Sequence, residues 1–419
     1  MTMEKCIRRA CATLLLLGAS SGLAQNVNPG GAATAPPSDA VRRALTLEQQ
    51  GNFAEARAAW EAVVKAEPRN GRAYAQLGLL EARQEHYAEA IADYRKAEAL
   101  NPAIPQLKLN LGLAYFKSAD FRSAGKVFEE ERMKHPKGSE AARLTILVGM
   151  SHYGAREYGA AIPYLKEAAA ADQKNLPLRL SLAHCYLWTK QFDAALGVYR
   201  EILDIDPDSA EADMIAGEAL DEKGDNAGAV QQFRAAVAAN PKEPDAHFGL
   251  AYLLWAQKRF GEAVPEFKAE LENDPKNYQT MIYLGDTYVQ QNQLDLAKEM
   301  LERVVQVEET VALVHLDLGI VYTEAGDKDG AVRELNKAIA LEPDTVTPHF
   351  RLAKVYQSMG KKVEAKAEFA KANSLNKKRD DSVHKRIEDA NLRPPPAKSV
   401  GDAPAEAAPD KPQDAGKPE

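Results

Sequence analysis

Cysteine is scarce in this 419-residue chain: three residues, with Cys6 and Cys11 near the start and Cys185 alone in the body. A lone thiol makes no internal bridge, so the fold is not a disulfide framework. Beyond residue 24 there is no long apolar run, which excludes a membrane-spanning helix from the rest of the chain. Basic excess is missing too. The chain carries 53 Lys and Arg against 61 Asp and Glu, a net charge of −8. Setting aside Glu4, Lys5, Arg8 and Arg9 leaves 50 basic and 60 acidic residues. A nucleic-acid binder wants a basic face, so no nucleic-acid partner is expected. Beyond residue 24 the sequence contains no HExxH, GxxxxGK, GxSxG or CxxC, and each of these would carry a specific chemistry. No enzyme, metal or cofactor is expected.

The first 24 residues read as a secretory signal peptide. Lys5, Arg8 and Arg9 form a basic end, Ala10 to Ala19 an apolar stretch too short to span a bilayer, and Gly22-Leu23-Ala24 a cleavage site before Gln25. The mature chain is therefore expected in the periplasm or outside the cell, without stable membrane insertion. Cys185 sits in a helical pattern with Leu182 and Tyr186 and is expected to be buried and inert.

What the chain does have is a ladder of alanines: Ala56, Ala90, Ala124, Ala161, Ala195, Ala229, Ala263, Ala297, Ala331 and Ala365. Neighbours are 34 residues apart, except that Ala124 and Ala161 are 37 apart. Such a period marks a helical repeat array. Twelve residues before each alanine lies a second small residue (Ala44, Gly78, Gly112, Gly149, Ala183, Gly217, Ala251, Gly285, Gly319, Ala353). Glycine inside a helix costs about 1 kcal/mol relative to alanine, so its repeated use predicts a close helix crossing. Four residues after each alanine comes a bulky apolar residue, from Trp60 and Tyr94 to Leu335 and Phe369, on the same helical face. Twelve after it, Pro68, Pro102, Pro136, Pro207, Pro241, Pro275 and Pro343 predict helix ends, while Gln173, Glu309 and Lys377 hold that place elsewhere. Gly51-Asn52, Gly224-Asp225, Gly326-Asp327 and Gly360 mark turns between paired helices.

Tyr74-x2-Leu77-Gly78, followed by Tyr87, Ala90-x3-Tyr94, Ala97 and Pro102, resembles the tetratricopeptide repeat pattern, as does Leu284-Gly285-x2-Tyr288 with Ala297. The resemblance implies an all-α fold, a right-handed α-solenoid of about ten helix-turn-helix repeats with a C-terminal capping helix. Ten repeats fit: 37–70, 71–104, 105–138, 142–175, 176–209, 210–243, 244–277, 278–311, 312–345 and 346–379. A three-residue insertion at 139–141 breaks the phase. Residues 25–36 form a linker, 380–393 a polar-faced capping helix in which Val383, Ile387 and Ala390 recur, and 394–419 a disordered Pro/Ala-rich tail.

In this family the first helices of successive repeats line a concave face, and their positions two, five, nine, twelve and thirteen meet ligands. Here those positions place Leu109, Leu113, Phe116, Met150, Tyr153, His184 and Trp188 in repeats three to five. Repeat six turns acidic with Glu218 and Asp221, and repeat seven returns to Phe248, Tyr252 and Trp255. Two apolar stretches around an acidic one predict a groove for an extended or helical peptide with apolar anchors and a basic residue at its centre. The carboxylate clamp of chaperone-binding members and the asparagine ladder of glycosyltransferase-associated ones are not matched. His247, His315 and His349 share the fourth position of their repeats, where Tyr74 and Met281 stand elsewhere, which points to packing and not to a zinc site. The expectation is a protein-binding scaffold or adaptor of the cell envelope. The alternative is a targeting subunit of an envelope glycosyltransferase or protease whose catalytic part is on another chain.

Overall fold

The computed structural model describes residues 38–392, with side chains described through residue 382. Every element among the described residues is helical, twenty helices in all. The described residues divide into two compact bodies, 38–291 and 292–392. The first holds α1 (Asp39–Gln49), α2 (Phe53–Ala66), α3 (Gly71–Arg83), α4 (Tyr87–Leu100), α5 (Leu107–Lys117), α6 (Phe121–Lys134), α7 (Ser139–Gly154), α8 (Tyr158–Ala171), α9 (Leu176–Trp188), α10 (Phe192–Leu203), α11 (Ala210–Glu222), α12 (Asn226–Ala239), α13 (Ala246–Ala256), α14 (Phe260–Asn273) and α15 (Tyr278–Gln290). The second holds α16 (Leu294–Val305), α17 (Ala312–Glu324), α18 (Lys328–Leu341), α19 (Val346–Ser358) and α20 (Lys362–Leu392). Odd-numbered helices are the first of each repeat and even-numbered ones the second.

The alanine ladder is the spine of both bodies. All ten alanines are buried, nine of them with no exposed surface. The paired small residue has a definite neighbour, the bulky side chain sixteen residues on. A β-carbon on Gly78 would lie 2.8 Å from the Tyr94 ring, and one on Gly112 2.5 Å from Phe128. Gly217 stands in the same relation to Phe233 and Gly319 to Leu335. The expected close crossing is therefore a ring or isobutyl group lying over the partner helix, where any side chain would collide.

The turn inside each repeat ends its first helix with one left-handed residue. Gly51, Gly224, Gly326 and Gly360 take it, as expected, but so do Glu85, Ala119, Arg156, Lys190, Lys258 and Asn292. A Schellman bond follows, such as His86 N–H to Glu81 C=O at 3.0 Å and Asp120 N–H to Tyr115 C=O at 2.9 Å. Helix starts are fixed by side chains: Asn70, Asp120, Asn175, Asp225, Asn277 and Asp327 each accept from the backbone N–H three residues on. Such a cap is worth about 1 kcal/mol.

Three departures from the regular pattern have local causes. The insertion at 139–141 is absorbed as the first turn of α7, the longest first helix at 16 residues. Pro105 and Pro244 delay α5 and α13, whose N-caps Gln106 and Asp245 are left-handed. At the end of the chain no separate capping helix begins at residue 380. Instead α20 runs unbroken for 31 residues, because nothing between Lys362 and Leu392 is proline or glycine. The leader at 1–24, the linker at 25–36 and the tail at 394–419 lie outside the described residues. Among the described residues no helix is long and apolar enough to cross a membrane.

Candidate functional site

Within the first body, successive first helices touch: α9 meets α7 and α11, and α13 meets α11 and α15. Their shared face is where the sequence places its twelve candidate partner-binding residues, and the structure sorts them into three groups. Leu109, Phe116, Met150, Tyr153 and His184 are buried, between 2% and 9% exposed. They belong to the core and not to an open groove, which corrects the expectation for these five. The reason is local packing around these five side chains, since the same positions stay half-buried or exposed at Leu113, Glu218 and Tyr252. Phe116 is met edge-on by Phe121, and the Tyr153 hydroxyl bonds His184 Nδ1 at 3.0 Å with the two rings parallel. Leu113, Asp221, Phe248 and Trp255 are half-buried, while Trp188, Glu218 and Tyr252 are exposed.

Trp188, at 55% exposed, ends α9 and stacks on Tyr158 at 6.1 Å between centroids, so it is held in place while more than half of it stays exposed. Tyr252 belongs to a second cluster. It lies 5.6 Å from Trp255 and 5.2 Å from Tyr283, and Trp255 and Tyr283 are 4.8 Å apart. Trp255, whose position predicted exposure, is half-buried because its indole N–H is bound to Asp286 and its ring is clasped by Tyr252 and Tyr283. Asp286 also accepts from Gln290 at 3.1 Å. The helix carrying Tyr252 is itself anchored by buried Glu270, whose carboxylate takes the N–H groups of Asp245 and Phe248, each at 3.2 Å. Burial raises the Glu270 pKa against the pull of those two bonds.

The histidines at the fourth position turn out to be pinned by a residue that was missed in the sequence. His247 Nδ1 lies 2.6 Å from Glu266, His315 Nδ1 2.7 Å from Glu334, and His349 Nδ1 2.6 Å from Glu368. Each glutamate follows its histidine by nineteen residues, so the same register held the signal. The other ring nitrogen of His315 and His349 meets the carbonyls of Glu309 and Pro343, at the position where the preceding repeat ends. Each pair ties a first helix to its own second helix, and His315 and His349 also hold the turn before it. Cys185 is fully buried, and burial pushes its thiol up to about 12, as the inert reading requires.

Tetratricopeptide repeat models match residues 41–105, 152–218, 216–278, 254–315 and 347–379, and a TPR repeat model matches 321–360. No curated protein matches the chain. Solved structures similar to it include a tetratricopeptide repeat protein from Parabacteroides merdae, 19% identical over 60% of this chain and 97% of that one, with a TM-score of 0.43. YrrB, described as a TPR protein with an unusual peptide-binding site, is 20% identical over 44% of this chain and 95% of its own, at a TM-score of 0.40. MamA from Desulfovibrio magneticus is 20% identical over 41% and 98%, at 0.38. The matched repeats, the alanine spine and the paired helices together establish that this chain belongs to the tetratricopeptide repeat family.

Proposed function

We propose that this chain is an exported, non-enzymatic scaffold that holds protein segments on the first-helix face of repeats five to eight, in the cell envelope. The observation that carries the reading is Trp188, a large aromatic fixed by stacking on Tyr158 yet more than half exposed. Packing alone does not call for it, and aromatic residues of this kind anchor partner interfaces. Tyr252 repeats the arrangement two first helices away. Export rests on the basic and apolar leader and its small-residue cleavage site.

Two measurements test the proposal. The intact mass of the protein recovered from an envelope fraction is expected to correspond to a chain beginning at Gln25. Affinity capture is expected to return defined envelope proteins with the wild-type chain and to lose them with Trp188→Ala plus Tyr252→Ala, at unchanged melting temperature. Retention of the leader together with an unchanged partner set in the double variant would sink the reading.

A further inference from the structure

We infer that the surface between Trp188 and Tyr252 takes an extended, cationic peptide segment in which Lys or Arg lies between two bulky apolar side chains. The inference rests on the proposed partner-binding role of this face. It starts from the ninth positions of repeats five to eight, which form a row of His184, Glu218, Tyr252 and Asp286 across α9, α11, α13 and α15, helices that touch in sequence. The ends of the row are committed: His184 to Tyr153, and Asp286 to Trp255 and Gln290. Its centre is open, with Glu218 and Tyr252 both exposed.

One turn further along α11, Asp221 and Glu222 add two more carboxylates beside Glu218. Among the described residues, no Lys or Arg forms an ion pair with any of the three. Lys223, next in the chain, turns instead to Asp193. In the four first helices Arg179 is the one lysine or arginine, and its guanidinium is spent on the carbonyls of Ala169 and Asp172. Among the described residues the face is thus acidic with no lysine or arginine paired to it, and it is flanked by two exposed aromatic rings. Burial, with neighbouring Glu222 adding to it, raises the Asp221 pKa and takes Glu218 up to about 7, so a cation arriving beside them would favour their charged forms.

A lysine or arginine side chain satisfies both features, reaching the carboxylates while crossing the face of Tyr252, a contact worth roughly 0.5–2 kcal/mol. The spacing constrains the rest of the segment. Packed helices lie roughly 8–10 Å apart, so α9 and α13 are separated by roughly 16–20 Å. An extended chain rises about 3.3 Å per residue, which puts the two apolar anchors about five or six residues apart.

The test is fluorescence anisotropy with the full mature chain and two synthetic nine-residue probes. Both carry Leu and Phe six residues apart; one has Lys-Arg-Lys between them and the other Gln-Gln-Gln. The cationic probe is expected to bind about tenfold tighter, with affinity falling as salt rises. Glu218→Gln with Asp221→Asn and Glu222→Gln is expected to erase that preference while leaving the helical signal and melting temperature unchanged. Equal binding of the two probes, or a preference surviving in the triple variant, overturns the inference. If both probes bind equally and Trp188→Ala plus Tyr252→Ala abolishes both, the cationic inference falls while the face remains a peptide site. If neither probe binds, the inference and the use of this face for peptides fall together.

Discussion

Gly112 lies so close beneath Phe128 that a β-carbon on it would stand 2.5 Å from the ring. Such a contact cannot be relieved by a flexible chain end, since the ring is fully buried and bounded on all sides. Gly112→Ala is therefore expected to destabilise by about 1–3 kcal/mol, with Phe128→Leu in the same chain recovering part of the loss. Gly197, inside α10 with nothing within 4 Å of the same probe atom, is the control. There Gly197→Ala is expected to stabilise by about 1 kcal/mol. Chemical denaturation of the three variants decides it, and equal effects at 112 and 197 would remove the packing account of the glycine column.

The left-handed residue of each inter-helix turn makes a second prediction. Ala119 holds φ at +64°, where a β-carbon is crowded and glycine is not. Ala119→Gly is expected to raise stability by about 0.5–1 kcal/mol, and Gly326→Ala, at φ +80°, to lower it by about 1 kcal/mol. Thermal melting of the pair checks the signs, and they should be opposite.

His315 and Glu334 are both nearly inaccessible, and Glu334→Ala leaves the buried ring nitrogen without its partner. A loss of about 1–3 kcal/mol is expected at neutral pH. Burial works to raise the Glu334 carboxyl, but the bond from His315, the charge of Lys337 and the bond from Arg333 outweigh it, and its pKa stands below the ordinary value. A carboxyl depressed in the folded state contributes stability above its unfolded pKa of about 4.3, lost as pH falls through the folded value. The melting temperature of Glu334→Gln should accordingly fall less than that of wild type on acidification below about pH 4.5.

Cys185 offers a simpler readout. Fully buried, with its thiol pushed up to about 12, it is expected to resist alkylation by iodoacetamide at pH 8 in the folded chain and to react completely in denaturant. Rapid labelling of the native protein would contradict the packing assigned to α9.

Much of this architecture was legible in the sequence, because a 34-residue period repeats one packing solution and each copy checks the others. The register of Ala90, Gly78 and Tyr94 declares the spine on its own. Turns at Gly51 or Gly224 were equally plain, whereas the same backbone at Arg156 and Lys190 was silent, since surrounding contacts force a residue that has no preference for it. Glu266, Glu334 and Glu368 were recoverable from register and passed over, because charged residues on a second helix ordinarily face water. The partner surface was the least legible part. Whether Met150 or Trp188 faces outward depends on local packing around each side chain, a property of neighbouring repeats that no single repeat encodes. The unbroken α20 teaches the complementary point: Lys377 was noted where other repeats place proline, and the helix continues where no stop residue stands.

The central claim is that partners meet the face carrying Trp188 and Tyr252. Its most direct test is site-specific photo-crosslinking in living cells, with the crosslinking residue placed at 188, at 252, and at Met133, which is 76% exposed on second helix α6. The account predicts the same discrete partner bands from positions 188 and 252 and none of them from 133. Capture of those partners from 133 with equal yield, or no capture from 188 and 252, would contradict it.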